Sequence, residues 1–153
     1  MKDLIYVGVA IGGTKTAVVT ASFDGEIKNL HKETFKTNPH SDEDTISHIF
    51  EIIDKIENTI YGISIIVGSP IDIKKGMICQ PPHLPGFKNT KIVSLFKNRY
   101  KVPVLLTNDA DACALAEYHF GQSAKVNNLI YFTFDTIVSA IFLSSAKDLG
   151  LYF

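Results

Sequence analysis

The sequence has no tryptophan, only two cysteines, and no apolar run long enough to cross a bilayer. Cys79 and Cys113 lie far apart and form no CxxC pair, which argues against a disulfide framework and fits a reducing compartment. A membrane helix needs about 18 apolar residues, and none of the apolar stretches reaches that length. Neither sign of charge dominates, since 15 basic residues face 16 acidic ones. We therefore expect a cytoplasmic protein without a nucleic-acid or membrane partner.

The remaining composition is that of an ordinary globular chain. Of the 153 residues, 46% are hydrophobic and 20% are charged, which is enough apolar material for a buried core. The five histidines show no metal-ligand spacing, so we expect no bound metal. They are His31, His40, His48, His83 and His119.

Hydrophobic periodicity predicts a mixed α/β fold that begins with an antiparallel meander. A helix capped by Ser41 follows the meander, and its apolar spacing continues to Ile60. A short apolar run after it is typical of a strand buried in a parallel sheet. Strands are predicted over 4–11, 15–22, 26–35, 63–67, 102–106, 129–134 and 137–143, and helices over 41–60, 90–100 and 109–120. Turns are predicted at 12–13 and 24–25, and an irregular segment over 68–87.

The segment from Ile11 to Thr16 reads IGGTKT and lies between two predicted strands. Paired glycines let backbone N–H groups converge on an anion because no Cβ blocks the approach. Thr14 adds a hydroxyl group and Lys15 adds a positive charge. The alternative is an ordinary Gly-Gly hairpin turn, and the spacing of a Walker A loop is absent.

Asn108 and Asp109 lie where a predicted strand meets a predicted helix. Ligands of α/β proteins collect at the carboxyl ends of strands, and a carboxylate there can accept a proton from a bound hydroxyl group. The alternative is a simple helix N-cap, a role that both residue types fill.

Two further loops follow the predicted strands. Gly68, Ser69 and Pro70 come directly after the strand at 63–67, and Leu84, Pro85 and Gly86 end the irregular segment. Structurally both loops are turns, and functionally they would line a pocket beside Asp109.

The order of these four motifs resembles the ROK family of sugar kinases and repressors, from about residue 4 to residue 134. The segment TNDADACALAE is the most specific part of the resemblance. The resemblance to this family implies one lobe of the actin-like, hexokinase-type ATPase fold (ribonuclease H-like). The sugar-side lobe would span residues 1–121, and a hairpin and tail of the second lobe would span residues 122–153.

The resemblance also implies a role for each motif. Asp109 would be the catalytic base of ATP-dependent hexose phosphorylation, as in a glucokinase, and Asn108 would bind a ring hydroxyl of the sugar. Mg²⁺ would accompany the ATP. The turn Gly12, Gly13, Thr14 and Lys15 would face the ATP phosphates, and the loops Gly68, Ser69, Pro70 and Leu84, Pro85, Gly86 would line the sugar pocket.

Three departures from the family pattern point to lost catalysis. Ala10 stands where the family has an acidic residue that helps to hold Mg²⁺. The second phosphate loop, Thr133 to Ala140, has lost every glycine and carries Asp135. The chain ends at Phe153, so the family's zinc site and second-lobe sugar contacts have no counterpart. We expect a truncated chain that is inactive by itself and binds hexose weakly.

The two strands after residue 128 would form an apolar hairpin with open edges. Leu149, Leu151, Tyr152 and Phe153 add further apolar surface. We expect a second copy or another partner to cover this hairpin, or the hairpin to fold back on the first lobe. A non-catalytic sugar-binding or dimerising module is therefore the alternative to a kinase. A ROK repressor is disfavoured because no DNA-binding segment precedes the first strand.

Overall fold

The computed structural model describes residues 4–23, 26–122, 126–134 and 138–144. The chain forms two compact units that divide between Thr107 and Asn108. The elements are β1 (Leu4–Ile11), β2 (Lys15–Phe23), β3 (Ile27–Lys36), α1 (Asp42–Ile53), β4 (Thr59–Val67), β5 (Ile71–Asp72), β6 (Met77–Cys79), β7 (Lys88–Thr90), α2 (Ile92–Tyr100), β8 (Val104–Asn108), α3 (Asp109–Phe120), β9 (Asn128–Phe134) and β10 (Val138–Ser144).

A five-stranded sheet in the order β3-β2-β1-β4-β8 organises the first unit. The first three strands pair antiparallel, as the turn-bounded apolar runs predict, and β4 pairs parallel to β1. This arrangement confirms the meander and the parallel strand that the sequence predicts.

Helices α1 and α2 cover one face of this sheet. Their buried residues, among them Ile49 and Phe96, join Val7 and Val9 of β1 in one apolar core. On the other face of β1, the side chains of Leu4 and Tyr6 remain exposed. The alternation along β1 is the period of two expected for a strand with one buried face.

Helix α1 begins where the sequence predicts and ends earlier. The Ser41 hydroxyl accepts a hydrogen bond from the Asp44 N–H at 3.1 Å, which confirms the N-cap. The prediction that the helix continues to about residue 60 is wrong, because α1 ends at Ile53 and Ile60 belongs to β4. Isoleucines four residues apart suit a helix, but here pairing with β1 satisfies the backbone from Thr59 onward.

The segment 68–87 is more ordered than its proline content predicts. Strands β5, β6 and β7 form a small antiparallel sheet. Thr90 belongs to β7, so α2 starts two residues later than predicted. Short strands of two or three residues carry too little periodicity to be found from sequence alone.

The second unit consists of α3 and the hairpin of β9 and β10. The two strands pair antiparallel, with Phe132 opposite Ala140 and Ile130 opposite Phe142, and α3 packs against both of them. Gly121 caps the carboxyl end of α3, as predicted. The predicted turn at 24–25, residues 135–137 and the apolar tail after residue 144 lie outside the described residues. No helix in the described part of the chain is long and apolar enough to cross a membrane.

Candidate functional site

The carboxyl ends of β1 and β4 bring two of the predicted loops together. Ile11 lies opposite Val67 in the parallel pairing of these strands. The Gly12–Gly13 turn and the Gly68 loop therefore leave the sheet side by side. This edge of an α/β sheet is where ligands bind.

The glycine turn is packed closely and keeps two N–H groups available. The Gly12 N–H donates to the Lys15 carbonyl oxygen at 3.1 Å. In the part of the chain that the structure describes, the N–H groups of Gly13 and Thr14 donate to no other group. The side chains of Thr14 and Lys15 are exposed. The turn can thus present two amide donors, a hydroxyl group and an ammonium group to an anion.

The residues of the Leu84–Gly86 loop meet the glycine turn through their neighbour His83. A Cβ atom on Gly13 would lie 2.7 Å from the His83 carbonyl oxygen. Leu84 is fully buried, and Pro85 is exposed. The Gly86 N–H donates to the Pro39 carbonyl oxygen at 2.8 Å, and a Cβ atom on Gly86 would lie 2.3 Å from the His40 carbonyl carbon. Glycine is required at both positions because of these contacts.

The Gly68–Pro70 loop exposes two of its three residues. Gly68 is buried, while Ser69 and Pro70 are exposed. The Pro70 carbonyl oxygen accepts a hydrogen bond from the Cys79 N–H at 2.9 Å, which ties this loop to β6.

Asn108 and Asp109 lie in the second unit, at the first turn of α3. The Oδ1 atoms of both side chains accept a hydrogen bond from the Ala110 N–H, each at 2.9 Å. The capping interpretation is therefore correct for Asn108, which is the N-cap of α3. Asp109 is exposed, so its carboxylate remains accessible to a ligand while it supports the helix start.

A second carboxylate stands in the same turn. Burial raises the pKa of Asp111 above its ordinary value, and the negative charge of Asp109 raises it further. The two acids share one helical turn, and the charge of Asp109 disfavours the ionised form of Asp111. A bound hydroxyl group that hydrogen-bonds to Asp109 would disperse part of this charge.

The residues present fit a phosphate group better than a metal ion. The amide donors and Lys15 of the glycine turn suit a phosphate, whereas Ala10, the exposed residue near the end of β1, offers a metal no ligand atom. Among the described residues, no group of three or more His, Cys, Asp or Glu side chains could hold a metal ion.

Within the first unit, the structure therefore joins the glycine turn, the Gly68–Pro70 loop and the Leu84–Gly86 loop. That Asp109 faces the same cleft as Gly12 and Gly13 stays a prediction. Sequence reasoning missed the contact between His83 and Gly13. His83 directly precedes Leu84 in the sequence, but which loop it contacts depends on the folded chain.

One depression of the surface lies away from these loops. It measures about 510 Å³, and its lining includes Ile5, His31 and Glu57. Ile5 is near the start of β1, at the opposite end of that strand from Gly12. Ligands of α/β proteins bind at the carboxyl ends of the strands. We therefore place the candidate site at the glycine turn and not in this depression.

One family of known proteins matches nearly the whole chain. The model of the ROK family matches residues 6–143. A glucokinase from Thermotoga maritima is 31% identical over 156 residues, which cover 97% of this chain and 49% of that protein. The chain thus spans about half the length of the curated relatives it matches.

Solved structures agree with this match. A ROK hexokinase from Thermus thermophilus superimposes with a TM-score of 0.78 at 29% identity, covering 92% of this chain and 47% of that one. A ROK family glucokinase from Streptomyces griseus, solved in complex with glucose and AMPPNP, gives a TM-score of 0.76 at 24% identity, with 92% and 45% covered. The fold is accordingly the actin-like ATPase lobe that the motifs predict, and this chain belongs to the ROK family.

Proposed function

We propose that this chain is the sugar-side lobe of a ROK-type hexose kinase homologue. Asp109 would take the proton from the sugar hydroxyl group, and Asn108 would bind a neighbouring hydroxyl group. The two loops 68–70 and 84–86 would line the sugar pocket. The glycine turn, Gly12 to Lys15, would face the phosphates of ATP. The lobe would extend over residues 1–121, and residues 122–153 would start the second lobe.

The observation that carries this proposal is the exposed carboxylate of Asp109 at the junction of β8 and α3. Its hydrogen bond to the Ala110 N–H holds the carboxylate at the first turn of α3. An ionised carboxylate can accept the proton of a bound hydroxyl group. Membership of the ROK family supports hexose as the substrate class, and a reaction that uses ATP supports a cytoplasmic location.

We further propose that the chain by itself does not transfer phosphate. Phosphoryl transfer depends on positioning and on neutralising the phosphate charge. Ala10 supplies no carboxylate to hold Mg²⁺, and the segment Thr133 to Ala140 contains no glycine and includes an acid. Both features weaken the parts of the site that would position the phosphates and neutralise their charge.

Titration of the full chain with glucose, fructose and N-acetylmannosamine, followed by nuclear magnetic resonance, tests the sugar site. We expect a dissociation constant in the millimolar range, about 4 kcal/mol of binding. The change Asp109→Ala should weaken binding about tenfold, because it removes a hydrogen bond to a charged acceptor. Asp111→Ala removes the same charge from the same helical turn and should leave the dissociation constant within about twofold.

Hexose binding that survives Asp109→Ala unchanged would show that the pocket is wrongly placed. A coupled assay with ATP and each hexose tests the second part of the proposal. Turnover above background in this assay would contradict the loss of catalysis.

An interaction module is the second candidate function. The side chains of Phe132, Phe134 and Phe142 on the hairpin are between 55% and 78% exposed. Exposed apolar surface of this kind marks a contact with another protein. We propose that a second copy of the chain, or another partner, covers this face of the hairpin.

A further inference from the structure

Two lysines stand directly opposite each other beside the glycine turn. Lys15, at the start of β2, pairs with Lys36, at the end of β3. Side chains opposite each other in an antiparallel pair lie with their Cβ atoms about 5 Å apart, and like charges in such a pair are destabilising. In the part of the chain that the structure describes, neither lysine forms an ion pair with an acid. The positive charge at this point therefore has no acidic partner among the described residues.

The lysine pair lines a shallow depression that also contains hydroxyl groups. The depression measures about 350 Å³, and its lining includes Thr14 and Thr34 beside the two lysines and Phe35. Thr14 and Thr34 are both exposed, so their hydroxyl groups can donate to a ligand. The free N–H group of Thr14 belongs to the same turn.

The face of the sheet that bears the lysine pair carries no acid on the neighbouring parts of β1, β2 and β3. Thr34 lies opposite Ala17 of β2, and Ala17 lies opposite Ala10 of β1. Position 10 is therefore two strands away from Thr34, about 10 Å at the usual strand spacing. A carboxylate at that distance would lower the local positive potential, and the methyl group of Ala10 does not. Alternate positions of β1, β2 and β3 on this face, from residues 4–10, 15–19 and 32–36, contain no Asp or Glu.

We propose that Lys15, Lys36, Thr14 and Thr34 form a binding site for the phosphate groups of a small molecule that requires no metal ion. The proposal rests on the phosphate-facing role of the glycine turn and adds β3 to it. Two ammonium groups supply the charge neutralisation that Mg²⁺ supplies when an acid holds it. The hydroxyl groups and the Thr14 N–H supply directional hydrogen bonds.

Titration of the full chain with inorganic tripolyphosphate in the presence of EDTA tests this site. Calorimetry gives the dissociation constant, and amide resonances of Gly13 and Thr14 report the location. We expect Lys36→Gln to weaken binding about five- to tenfold, because it removes a charge-assisted hydrogen bond at an exposed position. Lys15→Gln should weaken binding by a similar factor.

Lys32→Gln is the matched control. Lys32 lies on the same strand and the same face as Lys36, about 13 Å away, and it pairs with Val19 instead of a lysine. The control removes the same charge and should change the dissociation constant less than twofold. An equal loss of affinity in Lys32→Gln and Lys36→Gln would show that binding depends only on general electrostatic attraction. That result would overturn the proposal.

The remaining outcomes separate this inference from the proposed function. Loss of binding in Lys15→Gln with no loss in Lys36→Gln leaves the glycine turn as the phosphate contact and overturns the role of β3. Binding that appears only with Mg²⁺, or no binding of tripolyphosphate, also overturns the site. Because the sugar site is tested with hexoses and Asp109→Ala, either proposal can fail while the other stands.

Two further titrations identify the source of the phosphate. ATP that binds like tripolyphosphate, with the same loss in Lys36→Gln, assigns the site to the phosphate chain of a nucleotide. Glucose 6-phosphate that binds instead, with that same loss, assigns it to a phosphorylated sugar. Both results support the site.

Discussion

At the scale of single residues, close backbone contacts hold the candidate site together. Gly13 lies against the backbone of His83, and Gly86 lies against the backbone of His40. Neither glycine has a positive φ angle that would by itself explain its presence. Both positions hold glycine because any side chain would clash with the facing backbone and push the two segments apart. The absence of a Cβ atom on Gly13 therefore sets the distance between the glycine turn and the Leu84–Gly86 loop, and its absence on Gly86 sets the distance between that loop and His40.

The change Gly13→Ala should destabilise the protein by about 1–3 kcal/mol, because the new Cβ atom would overlap the His83 carbonyl oxygen. Urea unfolding followed by circular dichroism measures the loss. Gly8→Ala is the matched control on the neighbouring strand, since a Cβ atom there would meet nothing closer than 3.9 Å. Its stability should be unchanged or slightly raised. Equal stability of the two variants would show that His83 and Gly13 are not in contact.

At the scale of elements, α1 is defined by interactions at both of its ends. Ser41 caps its first turn, and three acids follow at the positive end of the helix dipole. At the other end, Arg99 of α2 pairs with Asp54 and lies 4.8 Å from the centre of the Phe50 ring. The hydrogen bond from Arg99 lowers the pKa of Asp54. This pair therefore adds stability at neutral pH that is lost as the pH falls through the lowered pKa.

We expect Ser41→Ala to lower the free energy of unfolding by about 1 kcal/mol, because the Asp44 N–H loses its acceptor. Thermal and urea unfolding measure the change. Ser47→Ala, at an exposed position inside the same helix, should be neutral or slightly stabilising because alanine favours helix. A loss as large in Ser47→Ala would contradict the capping role of Ser41.

At the scale of the whole molecule, the second unit leaves an apolar face exposed. Ile130, Phe132 and Phe134 alternate along β9, and Phe142 lies opposite Ile130 on β10. The rings of Phe132 and Phe134 stack at 6.1 Å. Neither described strand contains a charged residue that would protect its edge. A surface of this kind favours association in solution.

We expect the chain to associate as its concentration rises, measured by size-exclusion chromatography with light scattering. Phe132→Glu should shift it toward the monomer, because a charge in the centre of the apolar face must be desolvated in any contact. Leu30→Glu places the same charge at another exposed apolar strand position and should leave the association unchanged. A monomer at every concentration would contradict the prediction.

Much of the fold follows from local pattern. The bounds of β1 and α3 match the residues that periodicity predicts, since alternating burial and a Gly121 cap are local signals. The end of α1 and the small β5-β6-β7 sheet were missed. Ile60 fits a helical spacing and a strand equally well, and only the pairing of β4 with β1 decides between them. Strands of two or three residues exist because a neighbour pairs with them, and sequence carries no signal for the neighbour.

Part of the candidate site could likewise be predicted from the sequence, and part could not. The motifs around Gly12, Gly68, Leu84 and Asn108 could be found from sequence, because each depends on glycine, proline or a capping residue at a fixed place. The opposition of Lys15 and Lys36 and the contact of His83 with Gly13 could not, since each joins residues about 20 or more positions apart. Local chemistry is set by adjacent residues and can be identified along the chain. Which charges and loops meet is set by strand register and loop packing, and only tertiary structure decides it.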